Sequence, residues 1–186
     1  AKLGSNNLVL PVANPHTGPT TIYNGVLQLE HANALPGGTG AAGGTSALIF
    51  NGGVLGLGAG DFTRSLASAG TATGANFTGP GGWAAFNADR VVNLGGSGAA
   101  IAWGTANTGF NGKTLILGSP TATHTVDLRN PLGLGTASRI VQVDDGAAAV
   151  DAVISAPISG TTSGAALYKY GSGTLALSAT NTYNGQ

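Results

Sequence analysis

The chain has no cysteine and no methionine. Without cysteine, a disulfide scaffold, a zinc ribbon and a thiol nucleophile are all excluded. Charge is scarce as well. Seven basic and seven acidic residues cancel, and only 8% of the 186 residues are charged, against about 25% in an ordinary globular domain. A sparse, balanced charge leaves no electrostatic footprint for nucleic acid or an anionic membrane. No apolar run approaches the length needed to span a bilayer, so membrane insertion by this segment is not expected. With no methionine to start it and no signal-peptide pattern, the chain is expected to be a mature or excised segment.

What the chain does have is glycine, 33 residues of it, with 8 prolines. The glycines lack the strict every-third-residue period of collagen. Hydrophobic residues make up 42%, in short Val/Ile/Leu clusters that disordered chains lack. The length suits one domain with an adequate core. Glycine and β-branched residues both disfavour helix.

The clusters alternate with period two. Examples are Val26-Leu27-Gln28-Leu29, Val54-Leu55-Gly56-Leu57, Leu115-Ile116-Leu117, Ile140-Val141-Gln142-Val143 and Leu175-Ala176-Leu177. Between them lie turn signals: Asn24-Gly25, Asn51-Gly52-Gly53, Asn111-Gly112, Asp145-Gly146 and Asn184-Gly185. This pattern predicts an all-β chain. In a sandwich or antiparallel barrel the Asn-Gly pairs would be tight hairpins. In a parallel β-solenoid they would be corners between faces. An aromatic content of only 6% favours the solenoid, whose narrow interior prefers small side chains. Internal repetition is the further test.

The chain passes that test. Residues 2–19 and 169–186 align without a gap at an offset of 167, with seven of 18 positions identical. Among these are Lys2/Lys169, Leu8/Leu175, Leu10/Leu177 and Asn14/Asn181. The chain reads as a slice through a tandem array with a unit near 167 residues.

The segment GSGTLALSATNTYNGQ (171–186) resembles the autotransporter-associated β-strand repeat, and residues 18–29 resemble its second half. The first copy departs from the pattern at Pro11, Pro15 and His16. On this reading the whole chain, 1–186, is one module. Residues 2–35 are the first repeat, 36–164 are spacer coils with a Gly/Thr-rich loop near 67–82, and 165–186 begin the next copy. The resemblance implies a right-handed parallel β-helix of a large repetitive bacterial surface protein, exported to the cell surface. At roughly 20–25 residues per coil the chain makes about eight coils and a rod of roughly 40 Å. The implied role is structural: a stalk, adhesin shaft or filament that stacks on further copies. Leu8, Leu10, Leu175, Leu177, Asn14 and Asn181 are the candidate stacking residues. The two asparagines are expected to form amide ladders or to hold left-handed corners.

The chemistry-bearing residues are few. Asp144, Asp145 and Asp151 lie close in sequence, with Arg139 nearby. Clustered acids on one face would suit a carbohydrate-binding or carbohydrate-cleaving parallel β-helix, as calcium ligands or as general acid and base, and that is the alternative function. Adjacent aspartates on a strand face opposite ways, so a solvated turn is expected, with Arg139 and Asp151 as a candidate weak pair across coils. Gly58-Ala59-Gly60-Asp61 matches a fragment of a calcium-binding nonapeptide, but it occurs once and reads as a turn. His16, His31 and His124 are scattered, with no ligand or triad spacing. No catalytic, cofactor or metal residue is therefore assigned. Trp83 and Trp103 are candidates for contact with surface glycans if they face outwards. Filling the core at the widest coil is the competing expectation, shared with Phe86.

Overall fold

The computed structural model describes residues 1–41 and 43–185. Its longest sheet has seven strands in the order β1 (Leu8–Leu10), β3 (Val26–Leu29), β5 (Val54–Leu57), β7 (Gly81–Ala85), β10 (Leu115–Gly118), β13 (Arg139–Asp144) and β16 (Leu167–Tyr170). An early flank contains β2 (Thr20–Ile22), β4 (Leu48–Phe50) and β6 (Ala75–Phe77). A late flank contains β8 (Arg90–Val92), β11 (Val126–Leu128), β14 (Ala152–Ile154) and β17 (Leu175–Leu177). A short sheet contains β9 (Ile101–Ala102), β12 (Leu132–Gly133) and β15 (Ile158–Ser159). Every pairing between these strands is parallel. The fold is a parallel β-solenoid.

Each coil of the C-terminal half visits the long sheet, the late flank and the short sheet in turn. Nearer the N-terminus, the early flank feeds the long sheet directly. Asn24-Gly25 and Asn51-Gly52-Gly53 are the corners between them, not hairpins. Gly25 shows why glycine is needed at such a corner. Its φ is 63°, and a Cβ there would lie 2.4 Å from the Ser5 carbonyl oxygen of the coil beside it. Both the left-handed backbone and the close approach exclude a side chain.

The coils are longer than expected, so there are fewer of them. Leu27 sits on Leu55 and Leu55 on Trp83, steps of 28 residues. From Gly81 to Leu115 the step is 34, and from Leu115 to Val141 it is 26. The long sheet therefore has seven rungs in place of the eight coils predicted, and spans roughly 30 Å at about 4.8 Å per rung. The Gly/Thr-rich stretch is also shorter than 67–82, because β6 and β7 occupy its second half and are buried.

One apolar core runs the length of the coil. Leu27, Leu55, Trp83, Leu117 and Val143 form an inward column on the long sheet. Stacking like on like is what a single coil cannot do alone. The aromatic residues gather around Trp83, where the longest coil begins. Trp83 lies 5.1 Å from Phe50 and 5.3 Å from Phe62, ring centre to ring centre, and Phe77 joins Phe110 at 5.1 Å. The rings interlock edge to face and fill the interior there.

Candidate stacking ends and a groove over the long sheet

The outermost strands, β1 at the N-terminal end and β16 and β17 at the C-terminal end, each pair on one side only. At the N-terminal end, Leu3 is 67% exposed, and Leu8, Val9 and Val12 are exposed beside it. Ala1, Lys2, Leu8, Leu10, His16 and Leu27 border a hollow of about 230 Å³ there. Lys2 bridges to Ile22 on the early flank, and its Nζ donates to the carbonyls of Gly4 and Asn24. Burial pushes the Lys2 pKa down from its ordinary value. At the C-terminal end, Tyr168 (47%), Tyr170 (59%) and Leu177 are exposed, and Leu175 packs against the core.

The two copies of the repeat follow the same course. The first has a bend at 4–6, strand β1 and a bend at Val12; the second has a bend at 171–173, strand β17 and a bend at Ala179. Lys169 Nζ donates to the Gly171 carbonyl at 2.7 Å, just as Lys2 does to Gly4. Leu8 and Leu10 pair with Leu27 and Leu29, while Leu175 and Leu177 pair with Ala152 and Ile154.

The corner asparagines form neither amide ladders nor left-handed corners. Asn14 Nδ2 donates to the Ala34 carbonyl of the next coil at 3.1 Å. Asn181 Oδ1 accepts from the Ile158 amide of the previous coil at 2.8 Å. The left-handed asparagines are Asn87, Asn107 and Asn111 instead. Each corner amide is a latch between backbone groups of neighbouring coils, satisfying atoms that the short sheets leave over.

The remaining candidates have structural partners. Asp151 is buried and accepts from two backbone amides, Gly146 at 2.7 Å and Thr174 at 2.8 Å. Asp144 accepts from Gln142 Nε2 at 2.8 Å, and Asp145 is exposed. The three carboxylates do not share a cleft. Arg139 does not reach Asp151; its Nε donates to the Leu134 carbonyl at 3.0 Å. Among the described residues the ion pair is Arg129–Asp127 at 2.8 Å, a surface pair of small energetic weight. Asp61 accepts from the Val91 amide at 2.9 Å, pinning its corner to the next coil. His16, His31 and His124 bond locally to Thr20, Asn33 and Thr123. Trp83 and Trp103 are both 0% exposed. They fill the core and offer no ring face to a glycan, and Phe86 packs against the outer side of the long sheet, beside Val26, Val54 and Ile116.

The two hydrogen bonds to Asp151 carry a prediction. Asp151→Ala removes a buried acceptor from two part-buried backbone amides and should cost about 1–3 kcal/mol. Urea unfolding measures it. A loss below about 0.5 kcal/mol would contradict a structural role for this carboxylate.

Sequence reasoning did not single out two buried polar groups. Arg64 is fully buried, and Nε, Nη1 and Nη2 donate to the carbonyls of Gly38, Ser46 and Pro36 at 2.8–2.9 Å. Burial pushes its pKa down. Asn130, also buried, exchanges hydrogen bonds with the Leu94 backbone at 2.7 and 3.0 Å. Neither position has a repeated partner or motif that marks it in the sequence.

A groove of about 630 Å³ lies on the outer side of the long sheet. Val26, Val54 and Ile116 form its floor, and Asn7, Ser119 and Thr121 its rim. Thr121 Oγ1 donates to Asn7 Oδ1 at 3.0 Å, closing one side. Gln142 and Asp144 line its far end.

The passenger-associated-transport-repeat family matches residues 1–29 and again residues 167–186. Both ends match this repeat, which supports an autotransporter passenger repeat module. The matched segments are the two rod ends described above, and they fall on the residues that carry the resemblance in the sequence. The second match resumes the passenger-associated-transport-repeat on β16 and β17, the last rungs of the solenoid. No curated protein and no solved structure matches the chain.

Proposed function

We propose that this module is a structural repeat unit of an extracellular β-solenoid stalk, adhesin shaft or filament, stacked head-to-tail with further copies and without a catalytic part. The repeat family supports a secreted or cell-surface location. One observation carries the reading: both ends present open parallel edges and exposed apolar residues, and both bear the same repeat. Open edges of this kind invite pairing with another chain unless they are covered. A further copy covers them with the same ladder that runs inside the unit. The mechanism is mechanical, because force along the rod meets a continuous ladder and a continuous core.

The test is a fused chain in which residues 1–186 are followed by residues 20–186, keeping the 167-residue period. Stacked repeats gain an interface term beyond their own stability. The fused chain should therefore unfold at a higher urea midpoint than the single unit, by at least about 0.5 M for an interface of a few kcal/mol. An unchanged midpoint would mean that the units are independent beads, and would refute the proposal.

The groove over the long sheet favours a second reading, recognition of a neutral surface glycan. Its floor is apolar, and its rim carries amides and hydroxyls. Binding on a glycan array that disappears in Ile116→Arg would support it. An array with no signal would remove it.

A further inference from the structure

The two copies of the repeat have the same local course but do not occupy the same sheets. In the first copy Lys2 pairs on the early flank, and Leu8–Leu10 pair on the long sheet. In the second, Lys169 pairs with Val141 on the long sheet, and Leu175–Leu177 pair on the late flank. Each element of the repeat has moved one face forward along the coil.

The register supplies the reason. From Leu8 the pairings lead through Leu27, Leu55, Trp83, Leu117 and Val143. The next position up is Gly171, where a Cβ would lie 2.2 Å from the Val143 carbonyl oxygen. The repeat equivalent of Leu8 is not Gly171 but Leu175, on the other side of the bend at 171–173. The 167-residue period therefore exceeds a whole number of turns by one corner.

We infer that successive copies of this unit join with a rotation of one face, so that the long sheet of one copy continues the late flank of the copy before it. This rests on the stacking proposed above. The N-terminal end already displays the joint. Lys2 pairs with Ile22 and Leu8 with Leu27. At the joint Lys169 pairs with Ile22 of the next copy, and Leu175 with its Leu27. The asparagine latches fit the same joint. Asn14 shows the bond to the coil above and Asn181 the bond to the coil below; at the joint one residue makes both. The C-terminal coils have three faces, so three copies complete one circuit. A lateral feature such as the groove then winds around the rod, and only every third copy presents it on the same side.

The chain has no cysteine, so engineered cysteine pairs can map the joint in the fused chain. Thr21 is the residue before Ile22 and Tyr168 the residue before Lys169, and both point outwards. Rotated joining sets Tyr168 of the first copy beside Thr21 of the second, one strand spacing apart and within disulfide reach. Unrotated joining would continue the long sheet with β3 and set Tyr168 near Gln28 instead. Under mild oxidation, Tyr168→Cys with Thr21→Cys should form its intrachain disulfide on the order of tenfold faster than Tyr168→Cys with Gln28→Cys, because proximity fixes the effective concentration. Peptide mass mapping identifies the bond. A faster Gln28 pair would overturn the rotation while leaving stacking intact. If neither pair forms and the fused chain keeps the urea midpoint of the single unit, stacking itself fails and the rotation with it.

Discussion

Arg64→Met is expected to lower stability by about 3 kcal/mol and to open the loop between Pro36 and Ser46. The guanidinium is fully buried and faces carbonyls, not a carboxylate. It is the peg that holds the Pro36, Gly38 and Ser46 carbonyls. The loop is too short of apolar residues to hold itself down, and its carbonyls need donors. Methionine fills the volume and removes the cost of burying a charge. It leaves three acceptors without partners, at about 1–3 kcal/mol for each one that stays buried. Lysine should rescue only partly, since a single ammonium cannot reproduce the fork that reaches all three carbonyls. Urea unfolding gives the global loss. Limited proteolysis gives the local one, as new cleavage within 36–46. A variant as stable and as protease-resistant as the parent would show that the loop does not depend on Arg64.

The second large effect is expected at Trp83. It packs against Phe50, Phe62 and Phe77 of the preceding part of the coil. Trp83→Ala should cost about 3–5 kcal/mol, because the surrounding rungs are tied by backbone ladders and cannot collapse into the cavity. For a domain of this size that lowers Tm by about 10 °C. Trp83→Phe should cost much less. It keeps most of the ring volume, and Trp83 Nε1 has no hydrogen-bond partner among the described residues to lose. At Trp103 the indole nitrogen donates to the Lys113 carbonyl at 2.8 Å, so Trp103→Phe sacrifices a bond as well as volume. Thermal melts of the three variants rank these effects. Equal losses for Trp83→Ala and Trp83→Phe would contradict the packing account.

The long sheet was the most legible part of the fold. Its strands are short apolar runs, as in Val26–Leu29 and Arg139–Asp144, whose Leu27, Leu29, Val141 and Val143 turn to the core at every second position. The short strands were harder to see. Ala75–Phe77, Leu132–Gly133 and Ile158–Ser159 are two or three residues long, and their register comes from the rung beside them. Two residues cannot display a period. The coil count was overestimated for a related reason: corners and loops such as 103–114 lengthen a coil without adding a strand.

At the candidate site, the repeated ends could be read because identity at a fixed offset is a property of sequence alone. The partners of Asp151, Arg64 and Asn130 could not. Each bonds to backbone carbonyls or amides of other coils, and a backbone group leaves no mark of its own in the sequence. The glycines gain meaning in the same way. Gly25 is one residue of an Asn-Gly pair in the sequence; in the fold it is the only kind of residue that fits against Ser5.

Small-angle X-ray scattering of the fused chain, residues 1–186 followed by 20–186, tests the central claim most directly. A stacking unit predicts one straight rod, with the cross-section of the single unit and about twice its length, roughly 60 Å. Two bodies of roughly 30 Å, hinged at the seam and sampling many angles, would contradict it.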